Sequence, residues 1–319
     1  MVQGRYMRAT WALLAFLLVV VVWGAFVRAS GSGAGCGAHW PVCNGEIVPR
    51  APALETIIEF THRISSGVVT VLVILWAAWA FVAFPRGHRV RTGAALGVVA
   101  ILLEGAIGAG LVLLRLVGTD ASLARAGWMA LHLVNTFFLL GVVALTGAWA
   151  GGVGRPRLRE QGPVSVLTMA ALAGLVVLGM SGAIAALGDT LFPASSLAAG
   201  LRQDVAPGAH LLLRLRMLHP LLAVGVATTL LAWAAVSSVL RPGRAVRRTA
   251  LAVAGLVVLQ LCAGLVNLAL LAPVWMQLVH LLLADAVWLA TVLLAGSALA
   301  EDAPRLSVPA GATSQPSVP

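Results

Sequence analysis

The sequence predicts an all-α, polytopic membrane protein of about eight transmembrane helices, arranged as two pseudo-symmetric four-helix bundles. Three observations carry this. Of 319 residues, 60% are hydrophobic and 10% charged, with a mean hydropathy of +0.98, a balance foreign to soluble domains. The apolar residues fall into eight runs, at roughly 10–29, 57–84, 92–116, 127–150, 164–187, 210–240, 248–271 and 274–299, each reaching the ~20 residues that cross a bilayer. Features of the first four runs return in the last four. Lipid offers no hydrogen bonds to a backbone, so such runs must satisfy themselves as helices.

The first run follows Arg5 and Arg8 and precedes the small residues Ala29–Ala34, as in a cleaved secretory signal. Its length and the spans after it favour a retained helix. The basic side chains are all Arg, and they cluster in one set of short connections. These hold Arg5 and Arg8; Arg86, Arg89 and Arg91; Arg155, Arg157 and Arg159; and Arg241, Arg244, Arg247 and Arg248. Arg-dense short loops face the cytoplasm, which puts both termini inside the cell membrane. The net charge of +10 is thus a topology signal, and nucleic acid is not an expected partner. Two long loops, about 30–56 and 188–209, lie on the opposite side. The expected organisation is an N-terminal four-helix repeat over 1–155, a C-terminal one over 156–300, and a disordered tail, rich in Pro, Ser and Ala, over 301–319.

Several marks support the repeat. Trp128 and Met129 stand just ahead of His132, as Trp275 and Met276 stand ahead of His280. His62 opens the second span and His219 lies early in the sixth. Glu104 stands four residues before Gly108, and Gln260 four before Gly264. Four spans per copy is an even number, so the copies share one orientation.

The candidate site residues are the four histidines, in two pairs: His62 with His132, and His219 with His280. An imidazole in a bilayer needs a partner or a ligand. All four lie about six to ten residues inside the outer ends of their spans, so the members of each pair share a depth on separate helices. Two imidazoles at one height can ligate one haem iron from opposite faces. The alternatives are polar helix packing, a proton path and zinc. Pairs at a single depth make no relay across the membrane, and neither pair has Cys or several carboxylates beside it for zinc.

Glu59 lies one helical turn before His62, where it can orient the ring, move protons or balance positive charge. An interfacial acid paired with Arg63 is the plainer alternative. The residue three before His219 is Arg216, so the acid belongs to the first half alone. That asymmetry suggests that the first half performs chemistry while the second holds a cofactor. Cys36 and Cys43 share an outer loop whose oxidising side permits a disulfide. A metal site of Cys36, His39 and Cys43 is the alternative. No Cys-x-x-Cys-His motif is present, so any haem is bound non-covalently. Arg28, Arg63, Arg214 and Arg216 lie on the outer side, as candidate partners for haem propionates. Snorkelling is the plain account of Arg28.

These residues resemble the haem A synthase family over nearly the whole chain. The most specific parts are Gly24–Gly33, running into Cys36, Trp40, Pro41, Cys43, Asn44 and Gly45, and then Ile58–Arg63. The resemblance implies an oxidoreductase that converts a methyl group of haem O to the formyl group of haem A. It implies that His62 and His132 ligate the substrate haem, that His219 and His280 hold haem b, and that Glu59 is the essential acid. It also makes Cys36 and Cys43 the redox-active loop cysteines. The implied partners are membrane lipid, haem O synthase, terminal oxidase assembly and quinol as electron donor. One departure is plain: some bacterial members carry a second cysteine pair in the later outer loop, and residues 188–209 contain no Cys. Two rival classes remain from the sequence. A b-type cytochrome passing electrons from quinol would need no Glu59. A transporter would have spans broken at matching central positions.

Overall fold

The structure, a computed structural model, describes residues 2–159 and 161–301. Among them, α1 (Val2–Ala29), α2 (Leu54–Ala83), α3 (Arg89–Leu113), α4 (Leu123–Ala150) and α5 (Pro163–Leu191) form the first five spans. A short helix, α6 (Leu197–Val205), precedes a sixth span built from α7 (Leu211–Arg216) and α8 (Leu218–Leu240). The last two spans are α9 (Arg244–Ala269) and α10 (Val274–Ala298). The protein is an all-α, multi-pass membrane protein, with eight helical segments long and apolar enough to cross a bilayer among the described residues. Of the expected tail, residues 302–319 lie outside the described residues.

Helix limits follow local chemistry. Ser122 caps α4 through its hydroxyl, which accepts from the Arg125 N–H at 3.1 Å, and Ser196 caps α6 in the same way. Pro163 opens α5, where a missing N–H costs nothing. Pro85 lies just beyond α2. The break at Met217 within the sixth span has a cause three residues on: Pro220 has no N–H to offer the Arg216 carbonyl.

Several boundaries differ from the sequence expectation. The first span begins at Val2 rather than near 10, because its 28 residues make a rod of about 42 Å against an apolar core of about 30 Å. The polar first turns, with Arg5 and Arg8, continue the helix beyond the apolar part. More than half of the segment 188–209 is helical, since α5 runs to Leu191 and α6 fills half of the rest.

The first four spans close into a ring, α1 packing on α2 and α4, and α3 on α2 and α4. The second set closes likewise, α5 packing on α8 and α10, and α9 on α8 and α10. Equivalent buried bonds mark the duplication. Trp76 Nε1 donates to Thr10 Oγ1 at 2.8 Å, and Trp233 Nε1 to Thr168 Oγ1 at 2.9 Å. The tryptophans lie fourteen residues after His62 and His219, and the threonines fourteen before Gly24 and Gly182. Each such interhelical bond is worth about 0.6 kcal/mol in a membrane protein, so its service is to fix register.

The two rings meet through α1, α4, α5 and α10. There Phe137 stacks on Trp288 with centroids 4.8 Å apart, and Trp288 Nε1 donates to the Phe137 carbonyl at 2.6 Å. Arg28 also crosses this seam, donating to the Ala186 carbonyl, Thr190 Oγ1 and Gln277 Oε1 at 2.8–2.9 Å. It is an inter-ring tie rather than a snorkelling end. At the opposite end, Arg89 donates to the Val153 carbonyl and the Arg157 N–H to the Leu299 carbonyl. The Arg-rich connections are thereby joined at one end of the molecule.

Candidate functional site

One cavity of about 2040 Å³ runs through both rings and is lined by all four span histidines. That is about twice the upper end of the ~300–1,000 Å³ usual for a single small-molecule site. His62, His132, His219 and His280 stand eight, nine, eight and six residues into spans that begin at Leu54, Leu123, Leu211 and Val274.

Each histidine ring is backed by a glycine on the preceding span. A Cβ at Gly24 of α1 would lie 2.8 Å from His62 Cε1, and one at Gly182 of α5 would lie 3.0 Å from His219 Cε1. Gly264 of α9 stands in the same relation to His280 at 3.2 Å, and Gly108 of α3 to His132 at 3.9 Å. Four spans thus supply imidazoles and the four before them supply the space those rings occupy.

In the second ring, the His219 and His280 ring centres are 6.4 Å apart and the planes nearly perpendicular, at 85°. Two imidazoles bound to one metal at about 2 Å per bond have centres roughly 6 Å apart. Ser181 Oγ lies 2.9 Å from His219 Nδ1 and settles one face of that ring. Among the described residues no group of three or more His, Cys, Asp or Glu could hold a metal ion. A bare transition metal asks for three or four protein ligands, whereas a porphyrin iron asks for two axial ones. The pairs, the glycine backing and the apolar cavity therefore fit a haem better than a naked ion.

In the first ring the surroundings are charged. Glu59 is 4% exposed and lines the cavity. Its Oε2 accepts from the Cys36 N–H at 2.9 Å, and its Oε1 accepts from Arg63 through Nε at 3.1 Å and through Nη2. Arg63 Nη1 donates onward to the carbonyls of His39 and Val42 at 2.6 and 2.7 Å. Glu59 thus pairs with Arg63, and it also faces the cavity one turn from His62.

The outer loop is fastened onto α2. Cys36 and Cys43 are joined by a disulfide, which removes them as thiolate ligands for a metal with His39. Thr56 Oγ1 donates to the Gly35 carbonyl at 2.7 Å, and a Cβ at Gly35 would come within 2.5 Å of the Glu55 backbone. Only glycine permits that approach. Trp40 and Pro41 from this loop line the cavity.

The other arginines are already engaged. Arg216 pairs with Asp189 at 2.8 Å and with Asp204 of α6, and Arg214 donates to the Pro207 carbonyl at 2.8 Å. Arg125, which the sequence reading passed over, is 4% exposed, lines the cavity and donates to the Gly118 and Asp120 carbonyls at 2.7 Å. Asp285, also passed over, is 1% exposed on α10, lines the cavity, and has no hydrogen-bond partner at either oxygen. An aspartate within an apolar run was its only sequence signal.

One expected equivalence fails. Trp128 packs on Gly110 and donates to the Ile107 carbonyl at 2.7 Å, whereas Trp275 is 58% exposed. Trp128 lies four residues before His132 but Trp275 five before His280, so the two indoles point to different sides of their helices.

The cytochrome oxidase assembly protein family (COX15-CtaA) matches residues 7–292. The chain belongs to this family. It is 50% identical over 301 residues to a protein of Thermus thermophilus named protoheme IX farnesyltransferase, a match covering 94% of this chain and 50% of that one. It is 39% identical over 131 residues to a heme A synthase of Alkalihalophilus pseudofirmus, covering 41% of each chain. A third relative, a heme A synthase of Shouchella clausii, is 43% identical over 96 residues, covering 30% of this chain and 32% of that one. The chain spans about half the length, or less, of these curated relatives.

Proposed function

We propose that the protein is a haem A synthase, an oxidoreductase that converts a ring methyl of haem O to a formyl group. One observation carries this reading: two glycine-backed histidine pairs face one cavity, and beside the first, one turn before His62, stands the buried Glu59, where the second ring has Arg216. Converting a methyl to a formyl is a four-electron oxidation of the carbon; with quinol as donor it balances as two successive hydroxylations that consume two dioxygen and two quinol and yield the aldehyde, three water and two quinone. His62 and His132 hold the iron of the substrate. His219 and His280 would hold haem b, which would supply one-electron relay there.

Glu59 takes up a proton or balances positive charge at the reacting carbon. Arg63 and the Cys36 N–H fix its carboxylate, so it needs no reorganisation during the step. The disulfide-closed loop, through Trp40 and Pro41, covers that end of the cavity and limits water. The farnesyl tail of haem O enters from lipid, quinol supplies reducing equivalents, and the product passes to terminal oxidase assembly. The Arg-rich end faces the cytoplasm of the cell membrane, both termini included.

The Thermus name favours a second reading, farnesyl transfer to protohaem. We assign that activity to the part of the Thermus proteins outside the matched 301 residues. Prenyl transfer from a diphosphate uses divalent cations held by clustered carboxylates, and the described residues of this chain contain no such group. The separating experiment expresses the chain with and without a haem O source and identifies extracted haems by mass. Haem A from haem O supports the proposal. Haem O formed from protohaem by this chain alone supports the transferase. Unchanged haem O in a protein that binds haem supports a b-type cytochrome.

A further inference from the structure

Behind His132 lies an acid to which the proposed reaction gives no task. Glu104, on α3, presents Oε1 3.6 Å from His132 Nδ1. The carboxylate is held by two donors from α4: Asn135 Nδ2 donates to Oε2, and the Thr136 hydroxyl donates to Oε1. Asn135 is itself anchored by a 2.9 Å bond to the Ala100 carbonyl. His132 Nδ1 is buried and has no hydrogen-bond partner, so its nearest charged neighbour is this carboxylate. Glu104 also lines the cavity.

The second ring provides an internal comparison. Gln260 stands four residues before Gly264, as Glu104 stands four before Gly108. Its Nε2 donates to the His280 carbonyl at 3.1 Å and lies 3.3 Å from His280 Nε2. At one position of the duplicated architecture, the first site thus has a carboxylate and the second a neutral amide.

We infer that Glu104 is a positioning residue for His132, fixing the imidazole with its proton on Nδ1 and the Nε2 lone pair directed at the substrate iron. The assignment rests on the reading of His132 as a ligand of the substrate haem. Charge-assisted N–H to carboxylate bonds are about 2.7–2.9 Å long, so a ring movement of under about 1 Å closes the observed gap. A carboxylate behind a ligating imidazole fixes its tautomer and raises its basicity. A more basic ligand favours ferric over ferrous iron. Glu104 therefore holds the first site at a lower potential than a glutamine there would, while Gln260 leaves the second site without that bias.

The test loads the full-length protein with protohaem and measures affinity and midpoint potential at each site. Glu104→Gln reproduces the residue of the second ring. It is expected to weaken first-site binding 10–100-fold and to raise that site's potential, leaving the second site's potential in place. The reciprocal Gln260→Glu is expected to lower the second site's potential, and it tests the principle even where Glu104→Gln folds poorly. Glu104→Asp keeps the charge and is expected to restore part of the shift. An unchanged first-site affinity and potential in Glu104→Gln, or no shift in Gln260→Glu, overturns the inference. His132→Ala distinguishes the underlying reading: first-site haem with an unaltered spectrum in that variant removes His132 as a ligand, and Glu104's role with it.

Discussion

Glycine backing of the four rings makes a graded prediction. A methyl added at Gly24 would lie 2.8 Å from His62 Cε1 and 3.0 Å from Nε2. Ordinary carbon contacts begin near 3.5 Å, so the ring must retreat by about 0.7 Å or the two helices must part. Overpacking of this kind costs about 1–3 kcal/mol, against a gain of about 0.5–1 kcal/mol for replacing a mid-helix glycine with alanine. A misplacement of about 1 Å at a reacting group costs about 100-fold in rate. At Gly108 the same methyl would meet His132 Cε1 at 3.9 Å, an ordinary contact, so only the helix gain remains. Gly182 and Gly264, at 3.0 and 3.2 Å, fall between and act on the second site. The expected order of haem loss on substitution by alanine is Gly24, Gly182, Gly264, Gly108, with Gly108→Ala close to wild type and slightly more heat-stable. Haem titration of purified variants, read by difference spectra beside thermal melts, measures both quantities. Equal losses in Gly24→Ala and Gly108→Ala, or full binding in Gly24→Ala and Gly182→Ala, would refute the reasoning.

Three further outcomes are expected. Glu59→Gln keeps the eight spans and the second-site haem but lowers haem A formation by about 10²–10⁴-fold; normal formation would leave Glu59 only its loop-fastening contacts with Arg63 and Cys36. Denatured protein isolated under oxidising conditions should take up a thiol reagent at Cys262 alone, and at Cys36 and Cys43 as well after reduction; prior labelling of all three would contradict the closed loop. Asp285→Leu removes a buried acid that has no partner and should stabilise the fold by about 1–3 kcal/mol, seen as a higher Tm in detergent; a lower Tm would show that the acid meets a bound group in the working protein.

Hydropathy alone made the eight spans legible, because a bilayer demands continuous apolar length and nothing else in the chain supplies it. Span ends were less legible, since α1 and α5 continue past the apolar stretch into polar turns that hydropathy counts as loop. Helix α6 was missed for a related reason: nine residues that include Arg202 and Asp204 have no bilayer signature, and what holds them is the pairing of Asp204 with Arg216 across the chain. The histidines stood out because imidazole is rare in lipid. Their glycine partners did not, because a glycine in a bilayer helix does not reveal which neighbour it faces. The Trp-Met pairs misled by one residue, enough to rotate an indole by about 100° around its helix. The correct register is written in buried pairs, Thr10 with Trp76 and Thr168 with Trp233, which no local pattern links.

Duplication gives each ring a pair of histidines backed by glycines, so a difference in what the rings do must come from the positions where the copies diverge. Two of these adjoin the histidines. Glu59 in the first ring corresponds to Arg216 in the second, and Glu104 corresponds to Gln260. Each exchange gives the first ring the more negative residue, close to the iron that would carry the substrate. Arg216 is neutralised by Asp189 and Asp204, whereas Glu59 is neutralised by Arg63 of α2, whose guanidinium also holds the outer loop through the His39 and Val42 carbonyls. The charge at the first site is therefore coupled to how the Cys36–Cys43 loop is seated, and the charge at the second to how α6 is seated through Asp204.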